Sequence, residues 1–350
     1  MSPRHLTLLG RIAVAACAPY LTLKLLWVLG FDLGVVDIDR VSHTTWIVAN
    51  AVTFLLDAIA ATVAHTLTRP AGGRTPAWLL TFPLWMASGL LIPLMLSFVG
   101  STLAVLVFGR HHPIATGDFL QPWVFAVVYT GFLVEAITLL GAFGVYAHQR
   151  WGGLLRRPVR DLPDTGTRAV QRIFVGPAAV LIAAIGVIRL LWGSGSTLGM
   201  DAADAAARNV VSYTSDVVQG LLALAGATGL LLLLFPRLLP RRTPLARLRT
   251  RTALALAWTG SATVFAWGGL LWLTWTVSDG LAPDGSPAPG GLPGLIGALE
   301  LLTGLVVLCA GAFTLCELTA ATVPRPAPPV KTPAMKMRGD ARECVTADDR

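Results

Sequence analysis

The chain has little charge: Asp, Glu, Lys and Arg make up 13% of its 350 residues. An ordinary soluble domain carries about twice that share, so a water-soluble fold of this size would leave much apolar surface exposed. Cysteine is scarce too. Cys17, Cys309 and Cys316 lie in apolar runs and Cys344 in the basic C-terminal stretch, which excludes the cysteine-dense framework of small secreted domains. CxxC pairs and His/Cys clusters at metal-ligand spacing are absent, as are HExxH, GxSxG, Walker A and paired Asp-rich motifs. Gly193-x-Gly195-x3-Gly199 follows an apolar run and lacks the dinucleotide spacing. No nucleophile–base or metal constellation is visible, so a membrane-embedded enzyme ranks below the non-enzymatic readings, and no cofactor is expected.

What the chain does have is apolar sequence: 54% of residues are hydrophobic and the mean hydropathy is +0.67. A helix needs about 20 apolar residues to cross a bilayer. Eight such runs occur, near 11–30, 45–67, 77–98, 122–147, 173–193, 210–235, 252–276 and 292–322. Gly100 to Gly109 is apolar but too short to span, and reads as an extension of the third helix or an interfacial segment. The first run is retained rather than cleaved as a signal peptide, because Lys24 and Trp27 stand late in it. Pro19, Pro83, Pro93 and Pro177 are expected to kink their helices.

The net charge of +8 is unevenly placed. Of 27 Lys and Arg, 22 fall in the N-terminus, alternate loops and the C-terminal tail, and only Arg40, Arg110 and Arg208 fall in the other loops. That is the positive-inside pattern. It puts both termini in the cytoplasm of an inner-membrane protein, and it accounts for the basic charge by the bilayer and its anionic lipid, with no nucleic-acid partner. The expected division is a four-helix membrane unit over 1–148, a basic cytoplasmic linker over 149–172, a second four-helix unit over 173–323, and a disordered tail over 324–350.

The two units share patterns. Lys24-Leu-Leu-Trp27-x-x-Gly30 matches Arg189-Leu-Leu-Trp192-x-x-Gly195; Asn50-x2-Thr53-x3-Asp57 matches Asn209-x2-Ser212-x3-Asp216; Glu135-x2-Thr138 matches Glu300-x2-Thr303. The offsets are 165, 159 and 165 residues. Three patterns in one order at nearly one offset indicate duplication. The third and seventh runs share only apolar character and a Trp, Trp85 and Trp267. Four spans per half make the halves parallel, related by an axis along the membrane normal. The fold class is thus all-α integral membrane, about eight helices as two parallel four-helix repeats.

Lys24, Asp57, Glu135, Arg189, Asp216 and Glu300 lie well inside the runs and form three repeat-related pairs. A charge near mid-bilayer costs at least about 2.5–3.5 kcal/mol, so these residues are expected to face the bundle interior. Glu317, near a cytoplasmic end, can snorkel. Asn50, Thr53 and Asp57 share one helix face. At about 1.5 Å rise per residue, Asp57 and Glu135 lie roughly 18–20 Å in from the outer face and Lys24 about 9 Å. Four acids against two bases leave a formal charge of −2, so either about two acids hold protons or a cation binds. The competing structural reading has Lys24 and Arg189 snorkelling beside Trp27 and Trp192, and the polar residues acting as interhelical glue.

Other polar residues carry weaker signals. His111-His112 lacks further ligands, His65 and His148 suit helix ends, and Asp201 and Asp204 suit solvated loops. No metal site is expected. The K/R-x-x-W-x-x-G segments, each after an Ala-rich apolar run, resemble uncharacterised four-helix membrane proteins of GC-rich actinobacteria. The resemblance covers roughly 11–147 and 173–322 and implies the fold without an activity. The leading expectation is a small-solute or cation transporter with a mid-membrane acidic site; the alternative is a non-catalytic scaffold or accessory subunit. Candidate binding residues are Asp57, Glu135, Asp216, Glu300, Lys24, Arg189, Asn50, Asn209, Thr53, Ser212, Thr138 and Thr303.

Overall fold

In a bilayer every backbone N–H and C=O must be satisfied within its own segment, which makes a helix of each apolar run. The computed structural model describes residues 3–36, 43–67, 75–108, 120–162, 166–236, 248–281 and 290–322. Its helices are α1 (Pro3–Val28), α2 (His43–Leu67), α3 (Ala77–Phe108), α4 (Pro122–Leu155), α5 (Arg168–Gly193), the short α6 (Ala202–Ala207), α7 (Val210–Leu234), α8 (Thr250–Ala262), α9 (Leu271–Leu281) and α10 (Gly291–Thr322). A π-helical segment, Thr263–Leu270, joins α8 to α9 as one span. Among the described residues eight segments are therefore long and apolar enough to cross a membrane, and the chain is an all-α, multi-pass membrane protein.

Local chemistry sets the ends. Pro122 opens α4 at its first turn, where a missing N–H costs nothing. Asn209 and Ser212 form a capping box at the start of α7. The helices continue through Pro19, Pro83, Pro93 and Pro177. α3 runs on to Phe108, so the apolar stretch after Gly100 extends the third helix. Helix also occupies both ends of the basic connection, leaving 156–167 between α4 and α5. The connection is tied to the start of α8 by Val159 N–H to Leu248 O at 2.9 Å and Thr250 N–H to Arg157 O at 2.8 Å.

Within the first half α1 packs on α2 and α4; within the second, α5 packs on α7 and α10. Leu80, Leu84, Leu139 and Ala142 centre the first core, and Ala179, Ile182, Ala223 and Ala257 the second. Leu106, Val107, Ile173 and Phe313 are exposed, as a lipid-facing surface requires. Between halves α3 meets α7, α8 and the π segment, while α9 meets α2.

The contact between halves is reciprocal. Trp85 donates its indole N–H to Ser261 Oγ at 3.2 Å, and Trp258 donates its own to Ser88 Oγ at 2.9 Å. The Trp-x-x-Ser spacing recurs after 173 positions, so it is Trp258 of the seventh span, and not Trp267, that shares this reciprocal contact with the Trp85 segment. The next residues, Gly89 and Ala262, touch: a Cβ on Gly89 would collide with the Ala262 carbonyl. The two helices cross backbone to backbone there.

Candidate functional site

The K/R-x-x-W-x-x-G segments fold alike. Gly30 and Gly195 have φ of +89° and +102°, a region that glycine enters without a Cβ penalty, and each ends its helix in a tight turn. Phe31 N–H bonds Leu26 O at 2.9 Å, and Ser196 N–H bonds Leu191 O at 3.0 Å. The turn brings the chain back over the preceding indole: Trp27 Nε1 donates to Leu33 O and Trp192 Nε1 to Leu198 O, both at 2.9 Å. Both tryptophans are buried, so they lock the helix ends rather than anchor them at a lipid interface. The cation three residues earlier lies against the same ring, with Lys24 Nζ 5.2 Å from the Trp27 centroid and Arg189 Cζ 5.5 Å from that of Trp192.

From there the halves diverge. In the second half Arg189 grips Glu300 with two bonds, Nε to Oε1 at 3.0 Å and an NH2 bond to Oε2 at 2.7 Å. Its remaining amino group donates to Asp216 Oδ1 at 2.9 Å. Such fork-to-carboxylate pairs are the strong class of hydrogen bond. Arg208 completes the cluster, donating to Asp216 Oδ2 at 2.6 Å and to Trp192 O at 3.0 Å while lying 4.7 Å over Tyr213. By sequence Arg208 falls among the outward loop charges. The sequence shows it only as the residue before Asn209, and the turn out of α6 carries it inward. Gly268 of the π segment makes room for Glu300, because a Cβ there would overlap the carboxylate. Two acids meet two bases, which balances the formal charge, while Arg208 Nε is buried without a partner.

Among the described residues of the first half no arginine reaches the acids. Lys24 Nζ donates to Asn50 Oδ1 at 2.7 Å, while Asn50 Nδ2 donates to Trp46 O at 2.8 Å. Among the described residues Lys24 makes no ion pair. Asp57 lies seven residues beyond Asn50, about 10 Å further along α2. It faces Glu135 of α4 and Cys17 of α1, and ligand atoms of the three all lie within 4.8 Å of one another. All three are buried, and Asp57 Oδ2 has no hydrogen-bond partner. A buried polar atom left so is costly. Beside the carboxylates is a cavity of about 200 Å³, walled by Tyr20, Thr53 and Phe132 from the first half and by Trp267 and Leu271 from the second.

No protein-family model, curated protein or solved structure matches this chain. What it can do therefore rests on the geometry. The six intramembrane charges segregate within halves: Lys24, Asp57 and Glu135 in one, Arg189, Asp216 and Glu300 in the other. With Arg208 included, the formal imbalance falls from −2 to −1 and belongs wholly to the first half. Thr53 lines the cavity. Thr138 and Thr303 bond the carbonyls of Val134 and Leu299 one turn back, at 2.6 and 2.7 Å, beside Glu135 and Glu300. Asn209 and Ser212 cap α7 at its exposed end, and their bonds among the described residues stay within the cap. Glu317 accepts from Thr167 Oγ1 at 2.8 Å. His111 and His112 lie outside the described residues. Cys17 is the residue the sequence reading missed, although it shares a helix face with Tyr20 and Lys24 at i, i+3 and i+7.

Proposed function

We propose that this multi-pass protein is a transporter of a small solute or cation, coupled to protons or cations, in the inner membrane with both termini cytoplasmic. The observation that carries the reading is the Asp57–Glu135 pair: two buried carboxylates, without a contacting base among the described residues, at a cavity between the halves. Membrane-embedded acids of this kind mark ion and proton pathways. A site that must load and release a cation is better served by carboxylates left free than by carboxylates held in arginine forks.

The same proposal includes a tandem duplication of one four-helix unit. The matching Trp-locked turns, the shared Trp-x-x-Ser contacts and the three sequence patterns support it, as does the likeness of the K/R-x-x-W-x-x-G segments to actinobacterial four-helix proteins. In this reading the second copy has become the fixed frame and the first has kept the labile site. Rocking of one parallel half against the other then exposes the cavity alternately.

The test is purified protein in liposomes loaded with a pH-sensitive dye, challenged with a panel of solutes and ions under an imposed gradient. Asp57→Asn and Glu135→Gln should abolish movement and leave the protein folded. The competing reading, a scaffold or accessory subunit, draws support from the Arg189–Arg208 cluster, whose acids are tied up as structural glue. If nothing moves and neutralising the acids alters stability alone, the scaffold reading replaces the transporter.

A further inference from the structure

Cys17, Asp57 and Glu135 have a chemistry that a proton relay does not need. A relay can run on the two carboxylates; a thiol packed against both adds a soft ligand. We infer that the cluster is a binding site for a divalent transition-metal ion of the zinc class, held by Cys17 Sγ and one oxygen each from Asp57 and Glu135. The inference rests on the transporter reading for its biological use, since it names the class of cation, and on the geometry alone for binding.

Three observations converge. The ligand atoms lie within 4.8 Å of one another; a tetrahedral ion with bonds of about 2.3 Å to sulfur and 2.0–2.2 Å to oxygen holds its ligands about 3.4–3.7 Å apart, so about 1 Å of contraction closes the site. Asp57 Oδ2 is an acceptor with no donor, on a residue 5% exposed. The third is the open position: Asp57 and Glu135 both line the cavity, so a water or a passing solute can supply the fourth ligand. Three protein ligands with one open site is the arrangement of reactive or exchanging zinc rather than of structural zinc.

The ligand set also selects. Calcium and magnesium take six or more oxygens, and three protein ligands with a sulfur suit them poorly; thiolate with carboxylate suits zinc and its first-row neighbours. Binding displaces the thiol proton and any proton the carboxylates hold. The loaded site, a thiolate and two carboxylates around a divalent ion, keeps one negative charge. Lys24, two helical turns away, balances it.

Cobalt(II) is the probe, because a cobalt–thiolate bond absorbs in the near ultraviolet and reports the sulfur directly. The full-length protein carrying Cys309→Ser, Cys316→Ser and Cys344→Ser, with Cys17 its sole thiol, is titrated with cobalt(II) in detergent and then with zinc(II) as competitor. The expected result is one cobalt ion per chain with thiolate absorption, displaced by zinc and untouched by excess magnesium. Cys17→Ser should remove the absorption. Asp57→Asn and Glu135→Gln should each weaken binding at least about tenfold, the scale on which even groups that only orient ligands matter. No thiolate absorption in the Cys17-only protein overturns the site, and that measurement needs no ligand variant to fold. Absorption of equal strength in Cys17→Ser overturns it as well. Proton-driven flux without cobalt binding would sink the metal site and leave the transporter standing; cobalt binding without any flux would do the opposite.

Discussion

Arg189 offers the sharpest test of how the second half is held. Arg189→Met keeps the aliphatic stem and removes three charge-assisted bonds, two to Glu300 and one to Asp216. Asp216 retains Arg208; Glu300 is left as a buried carboxylate without a base. Ordinary interhelical hydrogen bonds in a membrane protein average about 0.6 kcal/mol, so three would account for about 2 kcal/mol. Stripping one partner from a buried ion pair costs about 3–5 kcal/mol, because the remaining charge is stranded. The expected loss is therefore in the higher range, and the excess over about 2 kcal/mol measures the stranded charge. Adding Glu300→Gln removes that charge and should restore about 2 kcal/mol, within the range for directly coupled sites. Lys24→Met, which gives up one bond to Asn50 and leaves no ion pair broken among the described residues, should cost about 0.6–1.7 kcal/mol. The assay is reversible unfolding in mixed micelles by SDS titration, followed by fluorescence of the 11 tryptophans. A loss below about 1 kcal/mol for Arg189→Met, or a double variant no more stable than the single, refutes the reasoning.

In the same titration Asp57→Asn should cost less than Asp216→Asn, because Asp57 is in contact with Glu135 and Cys17 and with no base, whereas Asp216→Asn breaks ion pairs with two arginines and should lose about 3 kcal/mol or more; the reverse order contradicts the division between a labile and a fixed half. Trp85→Phe and Trp258→Phe should each cost about 1 kcal/mol and lie close to each other, as the two halves of one reciprocal contact; a large inequality removes that equivalence. Gly226→Ala places a Cβ 2.8 Å from Gly260 Cα and should destabilise by about 1–3 kcal/mol through overpacking, seen as a lower unfolding midpoint. For the proposed topology, Thr197→Cys should react with an impermeant thiol reagent from outside intact cells and Gly166→Cys should not; opposite labelling reverses the orientation.

The spans were legible because hydropathy over 20 residues is a strong signal and a bilayer permits few alternatives to helix. The charged residues were legible for the same reason, since each stands out against an apolar background. What the sequence hid was direction. Asn209 matches Asn50 in its pattern yet lies at the start of α7, whereas α2 begins seven residues before Asn50; the one caps a helix and the other receives a lysine. Arg208 looked like a loop charge because a six-residue helix and a turn carry it inward. Cys17 carried no signal of its own, since a lone cysteine in an apolar run is ordinary core and only packing against α2 and α4 brings it to the acids.

The π segment sets the phase of the seventh span. Each i→i+5 turn holds one more residue than an α turn, and one residue is about 100° of helical rotation. α8 and α9 are therefore two helices phased against each other by a count of residues. Gly268, beside Glu300, and Trp267, on the cavity wall, both lie within this segment. Deleting a single residue between Thr263 and Leu270 would wind the ladder back to α and swing Leu271 about 100° off the cavity, replacing part of the wall that Asp57 and Glu135 share with it.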